Sequence, residues 1–377
     1  MIQRAFIASA LVAAAAVIAT VSETVSGQGA AVPPLVVTAF NGGPAPAYTT
    51  PRTPWGDPDL QGTWSSDDAT FGVQRAANQA SLYLSDEQWA ARQKQISQGI
   101  SNGENAVGSF RGDFARRAFR QTSYIVDPPD GRMPAVRPEA QRRRAPRDQG
   151  TFGDGPFDWT TDLTLYDRCI TRGIYGSVTR VIYGNGNRIV QAPGMVVLSY
   201  EMIHDTRVIY TDGRPHINDG IRQYLGSSRG RWEGDELVVE TTNLTDQTSI
   251  GGNGNGLRHS DRMKMTERLK RVADNVVQYQ LTVDDPVTYE KPFTISIPLT
   301  PLDGGVILPY ECHEGNHAME NSLGAERTED RALAADQARG NLRPRRRIQG
   351  ELGVGGQPLG EAGPPAGGGR AGGPGGQ

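Results

Sequence analysis

From Val196 to His313 apolar and polar residues alternate with a period of two, the mark of strands with one face on a core. Period-two segments fall at 178–183, 188–191, 195–210, 236–244, 258–271, 275–284, 292–299 and 306–312. Turn chemistry separates several of them, as in Gly184-Asn185-Gly186-Asn187, Thr211-Asp212-Gly213-Arg214 and Glu233-Gly234-Asp235. Many strands at short spacing, with no helix between them, predict an antiparallel meander that closes into a barrel or a strongly bent sheet. Two of the apolar faces carry ionisable groups. Val196, Leu198, Tyr200, Met202 and His204 share one, as do His259, Met263, Met265 and Glu267. Burying such groups is costly unless they are paired or used, so the pattern predicts a polar-lined cavity.

Helices are expected at the two ends of this β region. Ser85 followed by Gln88 is a capping box opening a helix over 82–98. A second helix, rich in Ala, Glu and Arg, is expected from His317 to about Ala338, closing one end of the sheet. Gly62-Thr63-Trp64 at the mouth of the first strand is similar to the Gly-x-Trp of lipocalins, where the tryptophan plugs one end of the barrel. The fold class is therefore mainly β, a lipocalin-like barrel or bent sheet with an N-terminal helical arm and a C-terminal helix. The expected organisation is a signal peptide over 1–30, an extended leader over 31–53, and a helical or irregular arm with the first strand over 54–160. The β domain with its closing helix spans 161–340, and a Gly/Pro-rich tail 341–377.

The signal peptide rests on Arg4, the alanine-rich run Ala5–Ala19 and small residues through Ala31. It implies a periplasmic or secreted protein without a stable membrane anchor after cleavage. The tail from Gly350 cannot bury enough apolar surface to offset the entropy of ordering. A net charge of −3 over 377 residues leaves no global field for nucleic acid. Cys169 and Cys312 form an even pair, either a disulfide of an oxidising compartment or two free buried thiols.

The chemistry-bearing set centres on the histidines. His204 and His259, with Glu267 and Arg258, are the candidate catalytic groups, since proton transfer wants a base beside a cation that holds developing charge. Arg168, Tyr200, Arg214, His216, Asn253, Glu311 and His313 are candidate ligand contacts, with Asp285 a further carboxylate. Asn253 lies in a glycine-rich loop without the spacing of a phosphate cradle. His313-Glu314-Gly315-Asn316-His317 spells His-Glu-x-x-His, which binds zinc only when both histidines lie on one helix. Here Gly315 interrupts the turn, so no cofactor is expected, with zinc on His313 and His317 as the alternative. The partner expected is a small, partly apolar ligand or substrate.

Several strings carry a resemblance: Ser123–Pro134, Leu165-Tyr166-Asp167-Arg168-Cys169, Glu201–His216, Ser228–Asn243 and Tyr310–Asn316. They resemble those of a large, uncharacterised group of exported bacterial proteins, over about residues 54–330. The resemblance implies export and a shared fold, and no activity. In that group the position matching His317 is often aromatic, which implies that the His-Glu-x-x-His match is local.

Overall fold

The computed structural model describes residues 35–36, 47–69, 71–101, 117–143, 156–181, 183–251, 257–302 and 304–345. In chain order the strands are β1 (Leu35–Val36), β2 (Gly62–Ser65), β3 (Arg117–Ala118), β4 (Ile125–Asp127), β5 (Gly186–Ala192), β6 (Met195–Tyr200) and β7 (Thr206–Tyr210). There follow β8 (Ser227–Glu233), β9 (Glu236–Thr242), β10 (Ser249–Ile250), β11 (Leu257–Arg258), β12 (Lys264–Ala273), β13 (Val276–Asp284) and β14 (Phe293–Pro301). The helices are α1 (Asp86–Ser101), α2 (Pro138–Arg143), α3 (Gly173–Val178) and α4 (His317–Ala338).

Nine strands close a barrel in the order β2-β5-β6-β7-β8-β9-β12-β13-β14, with β14 returning to β2. The return is made by Trp64 opposite Pro301 and Ser65 opposite Thr300. β4 lies on the N-terminal half of β14, along the same edge that β2 takes further on. All the barrel's pairings are antiparallel but one. β7 and β8 run parallel and meet only at Tyr210 opposite Arg229. The expected meander is thus corrected to a mixed barrel, because the long connection 211–226 carries the chain back to the start of β7 before β8 begins.

Alternation fills the inside. Ile189 on β5, Val196 and Leu198 on β6, Leu237 and Val239 on β9, Met265 and Leu269 on β12, and Val277, Tyr279, Leu281 and Val283 on β13 belong to one buried cluster. Trp64 belongs to it too, its Nε1 donating to the Leu60 carbonyl at 3.0 Å and its ring under the Arg271 guanidinium. Trp64 is thus a buried core residue of the first barrel strand. α3 is buried along its whole length, and the Tyr175 ring meets Phe293 edge-on.

The α1 capping box is present: Gln88 N donates to Ser85 Oγ at 3.2 Å and Ser85 N to Gln88 Oε1 at 3.0 Å. α4 spans the expected residues, but it packs Leu323 and Met319 on Phe157 and Leu163, apart from the main cluster. Two expected strands are not formed. In the expected strand 178–183, Val178 is the last residue of α3 and the described residues after it form no strand, and 306–312 form an irregular stretch that leaves Val306 and Leu308 exposed.

A candidate ligand cleft at the β7–β8 seam

The expected strand 195–210 is broken by a turn. Ile203 and His204 adopt left-handed backbone (φ 65° and 58°), and Tyr200 N donates to the Asp205 carbonyl at 2.8 Å, closing a hairpin between β6 and β7. Such backbone costs a non-glycine residue about 1–2 kcal/mol. The turn shifts the alternation by one residue. Arg207 and Ile209 point inward, while Thr206 and Val208 point out. His204 is therefore exposed in the turn, not on the inner face with Leu198 and Tyr200.

The inward shift of Arg207 builds a buried polar network. Its Nη1 and Nη2 donate to Glu267 Oε2 and Oε1 at 2.7 and 2.6 Å, and Nη2 also to the Tyr200 hydroxyl at 2.8 Å. The Tyr279 hydroxyl donates to Glu267 Oε1 at 2.7 Å, and Arg207 Nη1 reaches Ser228 Oγ at 3.3 Å. The two charged side chains are 3% and 0% exposed, so each is stable only because of the other. Burial works against the Arg207 charge, but the Glu267 carboxylate more than offsets it and holds Arg207 well above its ordinary range. Burial, then the Glu267 charge, push Tyr279 well up, and burial raises Tyr200 to about 12. Arg207 Nε remains buried without a hydrogen-bond partner.

This network reaches the surface where the barrel wall parts. Gly230 lets β7 and β8 touch, since a Cβ there would lie 2.8 Å from Ile209 Cγ2. At the other end Gly226 (φ +64°) is pressed onto β9, where a Cβ would sit 2.3 Å from the Thr242 carbonyl. β8 thus starts against β9 and leaves β7 open. The gap is a cleft of about 400 Å³, lined on one side by Asp205, Thr206, Arg207 and Val208 and on the other by Gln223, Tyr224, Leu225, Gly226 and Ser228. Ile170 and Thr171 complete it. Asp205 Oδ2 accepts from Thr171 Oγ1 at 2.6 Å and from Arg172 N at 3.3 Å. Burial raises its carboxyl despite these bonds and the nearby Arg172 and Arg207 charges.

Beside the cleft lies an aromatic rim. His204 Nε2 lies 2.8 Å from the Tyr310 carbonyl oxygen, the Tyr310 ring stacks on Tyr183, and its hydroxyl is 3.4 Å from that of Tyr166. Arg172, fully buried and lowered by that burial to about 10, faces the Tyr166 ring. The disulfide Cys169–Cys312 ties these segments together, settling the alternative left open by the cysteine count. Four non-glycine residues have positive φ among the described residues, and each adjoins a cleft-lining segment. Cys169 precedes Ile170, Ile203 and His204 precede Asp205, and the Asn243 carbonyl accepts from Gln223 N. Strain gathered in this way is an observed mark of functional sites.

Of the sequence candidates, Tyr200 and Glu267 belong to the network. Arg214 lies on the Tyr210 ring at 3.7 Å and is paired with Asp212, and His216 Nδ1 lies 3.2 Å from Ser227 Oγ, so both border the seam. His204 flanks it. His259 does not join them. It is 1% exposed, with Nε2 on the Thr248 hydroxyl and Nδ1 on the Ser260 carbonyl, and it precedes β12 rather than sharing a strand with Glu267. Asp285 is buried as the acceptor of Ser260 and Thr288 N–H and O–H groups. Arg258 and Arg168 are half-buried in β11 and in the 164–172 segment, and Glu311 and His313 are exposed. Asn253 lies outside the described residues.

His313 sits in the turn before α4 and His317 is the first residue of α4, so the two do not lie one helical turn apart. Among the described residues no cluster of three His, Cys, Asp or Glu could hold a metal, and no helix is long and apolar enough to cross a membrane. Arg207, Asp205, Ser228 and Tyr279 escaped the sequence reading. The signal that would have found the first two is length: sixteen residues over 195–210 exceed the usual 3–10 of a strand. No protein family, curated protein or solved structure matches the chain.

Proposed function

We propose that the chain is an exported binding protein of the uncharacterised bacterial group, holding a small, partly apolar molecule in the β7–β8 cleft. The observation that carries this reading is the parted wall. A cleft of about 400 Å³ falls within the size of small-molecule sites and joins apolar Ile170, Val208 and Leu225 to polar Thr171, Asp205 and Arg207. The disulfide supports an oxidising compartment. Native mass spectrometry of protein purified from the periplasm tests it. An organic adduct is expected on the parent and not on Val208→Trp, which fills the cleft from a position 41% exposed. The same adduct on Val208→Trp would remove the cleft as the ligand site.

One observation favours a second reading, a cofactor-free acid/base enzyme (a lyase, isomerase or hydrolase) in the same cleft. The raised, cleft-lining carboxyl of Asp205 suits general acid/base work better than His204, exposed on the rim, or His259, bonded elsewhere. That reading expects a bare parent chain at rest, and Asp205→Asn to lose turnover while keeping ligand.

A further inference from the structure

We infer that the cleft takes a short extended peptide, its free α-amino group on Asp205 and its backbone added as a strand to the open edge of β7. This rests on the cleft being the ligand site and names the ligand's class. The backbone phase of β7 is set by its bonds to β6. Tyr200 N donates to the Asp205 carbonyl and Thr211 N to the Gly194 carbonyl, so residues 205, 207, 209 and 211 face β6. Thr206, Val208 and Tyr210 face the other way. Tyr210 is taken up by its pairing with Arg229, the only one β7 makes with β8. Thr206 and Val208 therefore present N–H and C=O groups to the cleft with no strand beside them.

Two such pairs in one strand lie roughly 7 Å apart. A compact molecule engages one of them, whereas an extended peptide backbone repeats at the same spacing and engages both. The ends of the cleft agree. Both bonds that Asp205 accepts from the neighbouring segment go to Oδ2, leaving Oδ1 to receive an ammonium. A peptide with its amino end there runs parallel to β7, and so parallel to β8, filling the gap as a third parallel strand. Ile170, Tyr224 and Leu225 supply apolar contacts for alternate side chains.

The test uses the full mature chain, immobilised, and a random library of pentapeptide amides with free amino termini. The parent should retain a subset at least tenfold over Val208→Trp. The same library acetylated at its amino ends, or N-methylated at alternate amides, should lose that enrichment. Val208→Pro removes an N–H that makes no ladder bond, a change an open strand edge tolerates, so it should cut retention tenfold while the unfolding midpoint holds. No retained peptide, or equal retention of the N-methylated library, overturns the peptide inference. An organic adduct displaced by Val208→Trp in that case leaves the small-molecule reading standing. Retention equal on parent and Val208→Trp overturns both.

Discussion

The barrel has two seams of opposite character. Along β12–β13 the ladder runs from Lys264 opposite Asp284 to Ala273 opposite Val276, interrupted by a single irregularity near its end. Along β7–β8 it consists of Tyr210 opposite Arg229. The zipped seam puts Met265, Leu269, Leu281 and Val283 inside, with Glu267, its Tyr279 partner and, near the end of the ladder, Arg271 over the Trp64 ring. The open seam gathers a buried arginine, a raised carboxyl and left-handed backbone. A closed ladder satisfies the backbone and isolates the core. Where the ladder is omitted, backbone and interior polar groups become available to a ligand, at a cost in local stability.

The strongest way to break this comparison is to cut the buried ion pair that spans the two seams. Glu267→Gln leaves Arg207 buried without its counter-charge and should cost about 3–5 kcal/mol in urea unfolding. A double variant, Arg207→Met with Glu267→Leu, should recover most of that loss. If Glu267→Gln is as stable as the parent, the network does not hold the open side to the closed one.

Next in size is the disulfide, which belongs to the open side alone. Replacing Cys169 and Cys312 with alanine should cost about 2–5 kcal/mol. Amide hydrogen exchange sharpens the contrast: residues 166–172 and 205–208 should exchange faster, and the β12–β13 amides should keep their relative order. A uniform rise over both seams would dissolve the distinction.

The smallest expected effect concerns Asp205. Its carboxyl is raised by burial above the unfolded value, so the folded chain holds that proton more tightly. The charge therefore opposes folding at pH values above the folded pKa, and the opposition fades as pH falls through it. Asp205→Asn should raise the unfolding midpoint at pH 7–8, with the gap to the parent closing on acidification. A lower midpoint for Asp205→Asn at neutral pH would mean that Asp205 serves stability rather than a ligand.

The zipped half of the barrel was legible in the sequence and the open half was not, for one physical reason. The β12 and β13 alternation is uninterrupted and polar-out, so period and register agree. In 195–210 the residues keep a period of two through the turn as letters, but the left-handed backbone at Ile203 and His204 reverses which letters face inward. Glu267 and Tyr200 could thus be read as facing inward, each on its own strand, while the arginine that joins them could not. Arg214 was legible outside the strands because the turn chemistry of Thr211-Asp212-Gly213-Arg214 marks it. The parallel meeting of β7 and β8 depends on the course of residues 211–226, which has no period to read.

The return of β14 to β2 sets a timetable. Trp64 waits for Pro301, so the first barrel strand emerges from synthesis long before the strand that covers it. Until then β2 carries an open edge, and the ring cannot close piecemeal. Such non-local closure folds slowly and is exposed to misassembly on the way. The chain therefore has reason to leave its barrel open until nearly all of it has been made.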